Sequence, residues 1–257
     1  MIASELIVFL NDKVKKYNQP GFIIADPICI PHQFSKKQDI EIAGFFAAIF
    51  AWGNRTTIIQ KCNELMMRMD NAPHQFCMQH QGRDLKRLLG FKHRTFTDTD
   101  LLYFVSFFHF HYHQYDSLEN AFTQWMQPND ENIESALNGF YTYFFSLPDV
   151  PSRTLKHIAC PAKKSACKRI NMYLRWMVRK DKHGVDFGLW KGIQPSQLVI
   201  PLDVHVARVA RHFNLIQQQS SDWQTAVELT KVMKSIDPKD PAKFDYALFA
   251  LGVLERF

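Results

Sequence analysis

A short segment that could carry chemistry runs from Pro201 to Phe213 and reads PLDVHVARVARHF. Asp203 stands just before a helical pattern that contains Arg208 and Arg211. A carboxylate at a helix start accepts backbone N–H hydrogen bonds and meets the positive end of the helix dipole, which keeps it ionised. Such a group is a simple N-cap, or it orients a nucleophile and stabilises a nearby cation. The segment alone leaves both interpretations open.

A second segment of interest is strongly basic and reads PAKKSACKRINMYLRWMVRK from Pro161 onward. We predict one helix from Pro161 to about Arg179, on which four cations lie within about 60° of one another. Like charges at i, i+4 repel, so the stripe needs carboxylates nearby or the phosphates of a partner. A solvated face with intramolecular partners is the alternative. The four cations are Lys164, Lys168, Arg175 and Arg179.

The composition favours a globular protein that works in a reducing compartment. Hydrophobic residues make up 46% of the 257 residues, and the formal net charge of +6 permits a polyanionic partner without requiring one. The five cysteines include no C-x-x-C pair, which is typical of reduced thiols. The longest apolar run, Ile42 to Trp52, is too short to cross a bilayer, and the N-terminus lacks signal-peptide features. We therefore expect a cytoplasmic protein with no membrane partner.

Helical signals dominate the chain, and convincing alternating strands are absent. Asp39, Asp203 and Asp222 each stand at the start of a helical pattern, and Asp240 with Pro241 predicts an N-cap followed by proline at the first helical position. The glycine-containing piece from Lys180 to Leu202 reads as a structured loop. We expect an all-α fold.

Two segments of the sequence resemble the motifs of a known family. PLDVHVARVARHFNL is similar to the aspartate motif of the helix-hairpin-helix DNA glycosylases, and KKSACKRINMYLRW followed by IPLDVHV is most similar to their archaeal oxidised-guanine branch. The blocks AWGNR, SACKRINMYLRWMVR and FDYALFALGV resemble a bacterial group within that superfamily. The resemblance implies one glycosylase-like unit over residues 1–257, with two helical lobes at about 1–35 plus 148–257 and about 36–147.

The resemblance also implies roles for individual residues. Asp203 matches the essential aspartate, and Lys164 is the best match to the lysine nucleophile, with Lys163 and Lys168 left open as neighbours. The implied DNA-binding residues are Lys163, Lys168, Arg175, Arg179, His205 and Arg208, and the candidates for a wedge that fills the space of the extruded base are Trp52, Asn54 and Arg55. Plainer interpretations are an exposed surface lysine at 164, a core indole at Trp52 and a helix cap at Asn54.

The implied function is base-excision repair by a DNA glycosylase, with or without lyase activity. The enzyme would release a damaged base, such as an oxidised purine, by attack at the sugar C1′. The expected partner is double-stranded DNA, bound by a monomer without a cofactor. The alternatives are a non-catalytic nucleic-acid-binding protein on the same fold and a helical protein-interaction module.

Two other features qualify this interpretation. The hairpin of the resembling family is glycine-rich and reads L-P-G-V-G-x-x-T-A, whereas the equivalent stretch here reads HIACPAKKSAC, with no glycine between Gly139 and Gly184. The segment HFHYHQY places His109 and His113 on one helical face, but no acidic ligand stands beside them in the pattern. We expect no metal site there.

Overall fold

A computed structural model describes residues 2–257, and it is all-helical apart from one minimal hairpin of two antiparallel strands. In that hairpin Lys92 pairs with Thr97, and His93 pairs with Phe96. The prediction of an all-α protein is confirmed. No helix in residues 2–257 is both long enough and apolar enough to span a membrane.

Some helices follow one another closely, and others are separated by longer segments that contain short 3-10 helices. The α-helices are α1 (Ser4–Tyr17), α2 (Lys37–Phe50), α3 (Arg55–Arg68), α4 (Pro73–Gln79), α5 (Gly82–Leu85), α6 (Asp98–Tyr112), α7 (Asn120–Thr123), α8 (Glu134–Phe144), α9 (Lys168–Val178), α10 (Val204–His212), α11 (Trp223–Lys234) and α12 (Asp245–Phe249). The strands are β1 (Lys92–His93) and β2 (Phe96–Thr97). Single 3-10 turns lie at Pro20–Ala25, Pro27–Cys29, Pro31–Gln33, Lys86–Leu88, Ser152–His157, Pro161–Lys163, Pro195–Gln197 and Pro241–Phe244, and a π-helical turn spans Ala250–Leu254.

The chain divides into two compact units. Unit 1 combines residues 1–22, 126–138 and 159–257, and unit 2 combines residues 23–125 and 139–158. The N- and C-terminal segments therefore belong to one unit. Compared with the expected lobes, residues 23–35 and 148–158 group with unit 2, and residues 126–138 group with unit 1.

Unit 1 contains the almost fully buried helix α9 and the short helix α12, on which other helices pack. Every residue of α9 from Ile170 to Val178 is buried, so most of this helix lies in the interior rather than at the surface. Helices α1 and α10 both pack on α12, and α11 packs on the 3-10 turn that precedes it. Helices α9, α10 and α12 therefore all belong to unit 1.

Unit 2 has an aromatic core. Helix α2 is buried from Ile40 to Phe50, and its Phe45 ring contacts the rings of Phe104 and Phe144 at centroid distances of 6.0 and 6.2 Å. Phe122 and Phe140 stack at 4.1 Å. The aromatic surplus of the sequence therefore fills this core, where large rings bury much apolar area per residue.

Candidate functional site

Asp203 lies at the N-cap of α10, as the sequence predicted. One carboxylate oxygen, Oδ1, accepts hydrogen bonds from the backbone N–H groups of His205 at 2.9 Å and Val206 at 3.0 Å. These bonds satisfy two of the N–H groups that a helix start leaves without partners. The other oxygen, Oδ2, accepts neither of these bonds. The cap therefore holds the carboxylate in a fixed orientation and leaves one oxygen for another partner.

That partner is Lys168, the first residue of α9. Its Nζ atom lies 3.9 Å from Oδ2 of Asp203, and each side chain is 24% exposed. The distance is longer than a hydrogen bond, so the two groups form a loose ion pair that a bound ligand can still reach. Among the lysines implicated by the sequence, Lys168 is the one that the fold brings to Asp203.

A turn with unusual backbone conformation precedes α9. Lys164 has φ 57° and Cys167 has φ 53°, both in the left-handed region that favours glycine. The turn is anchored by the N–H of Ala162, which donates to Oδ1 of Asn138 at 2.9 Å, and by the N–H of Cys167, which donates to Oγ of Ser165 at 3.1 Å. A glycine-free sequence therefore still makes a tight turn with two left-handed positions immediately before the helix that carries Lys168.

The prediction of one long basic helix from Pro161 to Arg179 is wrong. The 3-10 turn Pro161–Lys163 is followed by the left-handed residues, and α9 begins only at Lys168. Lys164 is therefore an exposed turn residue, and it makes no ion pair within residues 2–257. The four predicted cations do not share one helical stripe.

Two members of that stripe, Arg175 and Arg179, are buried. Each is 3% exposed, and each guanidinium group binds carboxylates of unit 1. Arg179 contacts carboxylate oxygens of its partners at distances of 2.8 to 2.9 Å. Arg175 contacts one aspartate at 3.3 Å and binds a second directly. We call this set the arginine–aspartate network; its acidic members are Asp181, Asp186, Asp240 and Asp245.

The contacts of the network differ from two of the predictions made from the sequence. Its buried arginines are neutralised by aspartates, so they offer no surface to a DNA phosphate. Asp240 stands at the N-cap position before Pro241, as predicted, but its side chain makes no cap hydrogen bond. Both of its carboxylate oxygens instead accept from Nε of Arg179. The sequence contained one indication of this network: Arg175 and Arg179 are four residues apart, and two aspartates follow them within a few residues.

Arg208 and His205 hold the start of α10 against the C-terminal segment. Arg208 donates from Nη2 to the carbonyl oxygen of Gly252 at 2.8 Å. A Cβ atom at position 252 would lie 3.0 Å from both Cβ and the carbonyl oxygen of His205, so glycine permits this close approach. Both contacts join α10, whose N-cap is Asp203, to the π-helical turn Ala250–Leu254. Their contact with DNA stays a prediction, as does that of the exposed Lys163.

The wedge candidates lie in unit 2. Asn54 caps α3, because its Oδ1 accepts a hydrogen bond from the N–H of Thr57 at 3.1 Å. The guanidinium carbon of Arg94 lies 4.4 Å from the centroid of the Trp52 ring. Arg55 is the first residue of α3. The capping interpretation of Asn54 is confirmed, and a wedge at Trp52, Asn54 or Arg55 stays a prediction.

His109 on α6 and His113 directly after it both contact backbone groups. Nδ1 of His109 lies 2.9 Å from the carbonyl oxygen of Cys77, and Nδ1 of His113 lies 2.8 Å from that of His109. In the part of the chain that the structure describes, no group of three or more histidine, cysteine or acidic side chains is arranged to hold a metal ion.

Fold and site together describe an all-helical protein whose first unit presents a partly exposed lysine–aspartate pair at two helix starts. Residues 26–254 match the model of a family described as protein of unknown function (DUF2400). The match spans most of the chain, and the chain belongs to this family. Comparison with curated proteins and with solved structures found no match.

Proposed function

We propose that this protein is a DNA glycosylase with a helix-hairpin-helix glycosylase-like fold, in which Lys168 is the nucleophile and Asp203 is the essential carboxylate. The observation that carries the proposal is the distance of 3.9 Å between Lys168 Nζ and Asp203 Oδ2, in a pair that remains partly exposed. This replaces Lys164 as nucleophile by the neighbouring lysine that lies beside the aspartate.

The local architecture supports this assignment. A tight turn with two left-handed residues leads into α9, so Lys168 sits at the start of a helix, where the N–H groups and the helix dipole attract anions. The side chain of Cys167 makes no cap hydrogen bond to this helix. A DNA phosphate that binds here would place the sugar of a flipped nucleotide close to the amine.

The proposed chemistry uses both members of the pair. Lys168 releases a proton with the help of Asp203, and the lone pair of its amine attacks C1′ of the damaged nucleotide. The C1′–N bond breaks, its electron pair leaves on the base, and the base takes up a proton. Asp203 stabilises the positive charge that develops on the sugar. Loss of a second proton from Nζ lets its lone pair expel the ring oxygen O4′, which takes up a proton, and the opened sugar is then held as a protonated imine.

Borohydride trapping tests this proposal. The purified protein is incubated with duplexes that carry oxidised, deaminated, alkylated or abasic sites, and borohydride reduces any imine to a stable protein–DNA adduct. We expect an adduct with the wild-type protein and none with Lys168→Gln. Asp203→Asn should reduce base release by roughly 100-fold or more, because one preorganised electrostatic partner is lost.

Lys164→Gly is the matched control. It removes a lysine close by in the chain, and glycine suits the left-handed backbone at that position. The adduct should survive in this variant; its loss there and its retention in Lys168→Gln would contradict the assignment. Base release without an adduct would indicate a monofunctional enzyme in which Asp203 activates water.

The electrostatic character of the protein favours one alternative. The formal net charge of +6 already includes the arginines and aspartates of the network, so the excess of positive charge comes from residues outside the network. If no lesion yields an adduct or base release while duplex binding weakens steeply with salt, the protein is a non-catalytic DNA-binding protein on this fold. Absence of any salt-dependent binding would favour a protein-interaction module.

A further inference from the structure

The β-hairpin of unit 2 carries an arginine at its tip, in a strained backbone conformation. His93 pairs with Phe96, so Arg94 and Thr95 form the two-residue loop between the strands. Arg94 has φ 55°, which lies in the left-handed region. Positive φ values in such loops are usually found at glycine, asparagine or aspartate. The loop therefore holds an arginine where the conformation favours other residues, and strained positions of this kind are concentrated at sites that bind ligands.

The loop is held in place on both sides of Arg94. Before it, Nε2 of the buried His93 ring donates to the carbonyl oxygen of Phe50 at 3.0 Å. After it, the carbonyl oxygen of Thr95 accepts a hydrogen bond from Nη2 of Arg153 at 2.9 Å. These bonds fix the residues next to Arg94, so its side chain leaves the hairpin from a preorganised position.

The side chain of Arg94 lies against the turn between α2 and α3. Its guanidinium carbon is 4.4 Å from the centroid of the Trp52 ring, a distance at which the face of an indole attracts a cation. Gly53 makes room for this contact, because a Cβ atom at position 53 would lie 2.5 Å from Nη1 of Arg94. Gly53 also has φ 108°, which a residue with a side chain rarely adopts. Trp52 and Gly53 therefore support the guanidinium group.

The exposed guanidinium group of Arg94 makes no ion pair and no hydrogen bond within residues 2–257. Other arginines of unit 2 differ in this respect. Arg87 binds the carboxylate of Asp70 through both of its terminal nitrogens, and Arg68 pairs with Glu64 at 2.8 Å. A supported guanidinium group without a carboxylate keeps its N–H donors for an oxyanion, and its planar fork matches two oxygens of a phosphate group.

We propose that Arg94 binds a phosphate group of the DNA backbone while Trp52 and Gly53 support its guanidinium group. The inference deepens the proposed function, because it names a contact of unit 2 with the DNA, and it rests on that function for the identity of the partner. The indole covers one side of the guanidinium group, and two N–H groups donate to two phosphate oxygens. A backbone contact positions the DNA and is independent of its base sequence.

Fluorescence anisotropy with an undamaged duplex tests the inference without any catalysis. The affinity of the intact protein is measured at a series of salt concentrations. Arg94→Gln should weaken binding by about tenfold at low salt and reduce the slope of log K against log salt by about 1, because one phosphate contact is lost. Arg94→Lys keeps the charge but loses the planar fork, and it should weaken binding nearly as much. Wild-type affinity and slope in Arg94→Gln, or no binding of the duplex by the wild type, would overturn the inference.

Two further variants separate this site from a general effect of charge. Arg83→Gln removes an arginine of unit 2 whose side chain is 84% exposed, and it should bind the duplex like the wild type. A loss as large as that in Arg94→Gln would mean that binding follows net charge alone, against a specific site. Gly53→Ala keeps every charge but displaces the guanidinium group, so it should weaken binding as Arg94→Gln does. Trp52→Leu, which removes the indole, replaces Gly53→Ala if thermal unfolding shows that the alanine variant does not fold.

A second measurement separates the DNA backbone from free phosphate. The ¹⁵Nε–H signal of Arg94, identified by its absence in Arg94→Lys, is followed by NMR during titration with the duplex or with inorganic phosphate. It should move with the duplex at phosphate concentrations where inorganic phosphate has no effect. A response to inorganic phosphate alone would contradict a DNA contact and assign the site to a small phosphorylated ligand.

Borohydride trapping distinguishes this inference from the proposed function. Duplex binding that depends on Arg94, without an adduct on any lesion, contradicts the glycosylase and leaves the phosphate contact intact. An adduct together with duplex binding that is the same in wild type and Arg94→Gln supports the glycosylase and rejects the contact.

Discussion

Unit 1 contains two ion-paired regions, one at each end of α9, which differ in exposure and in the distances between their charged groups. At the start of α9, Lys168 faces Asp203 across 3.9 Å, and both side chains are partly exposed. Arg175 near the end of α9 and Arg179 directly after it are buried among four aspartates, and Arg179 contacts Asp181 at 2.8 Å. Exposed ion pairs contribute little to stability, whereas a buried charge that loses its partner is costly. One region is therefore suited to meet a ligand, and the other holds the helix in place.

The sharpest test of this contrast removes one cation from each region. Arg179→Met leaves Asp181 and Asp240 without their guanidinium partner and Asp186 with Arg175 alone, and we expect it to lower the free energy of unfolding by about 3–5 kcal/mol. Lys168→Met should change it by about 1 kcal/mol or less. Urea denaturation monitored by circular dichroism measures both. Similar losses in the two variants would show that the pair at the surface is as structural as the network.

A buried carboxylate in unit 2 extends the comparison to pH. Asp100 is fully buried and accepts hydrogen bonds from the N–H of Thr97 and from Oγ1 of Thr154, each at 2.8 Å. Burial raises its pKa, but the bonds from His157 and from both threonines outweigh burial and lower the pKa to about 2. The pKa of Asp245 is shifted in the opposite direction, to about 6, because burial together with two neighbouring aspartates outweighs the guanidinium group of Arg175.

The lowered pKa of Asp100 leads to a prediction with a definite sign. The unfolded chain binds the proton more tightly, so the stabilisation by Asp100 is complete above about pH 4 and is lost as the pH falls through about 2. Over this range the wild type should lose about 2 kcal/mol more stability than Asp100→Asn. Urea denaturation at a series of pH values measures the difference. Parallel curves for the two proteins would contradict it.

The smallest expected effect concerns the turn before α9. Lys164 adopts a left-handed backbone that disfavours residues with a side chain. Lys164→Gly should therefore raise the free energy of unfolding by about 0.5–1 kcal/mol. Lys163→Gly removes the same charge from the adjacent residue, whose backbone is not left-handed, and should lower stability instead. Thermal unfolding of both variants measures the two changes in stability, which should have opposite signs. A loss of stability in both variants would mean that the Lys164 side chain contributes contacts of its own.

The local features of this fold were predictable because their causes lie within a few residues of sequence. Asp203, Asn54 and Asp222 each accept hydrogen bonds from N–H groups two or three residues ahead, so their capping roles follow from type and position. The apolar periodicity likewise predicted helices throughout. By contrast, the helix predicted from Pro161 begins at Lys168. The anchor of the intervening turn includes Asn138, which periodicity in the basic segment does not reveal.

The sequence by itself determined the helical class of this protein, the caps of several helices and the presence of a carboxylate at the start of α10. Only the tertiary structure decided which lysine meets that carboxylate and which arginines are buried. Both choices depend on groups from distant parts of the chain, since Lys168 pairs with Asp203 and Arg175 with Asp245. On a helical wheel Lys168 and Arg175 lie on the same face, although the first is partly exposed in the folded protein and the second is buried. What separates them is the carboxylates that the folded chain brings to each, because charge can be buried only where a partner offsets its desolvation.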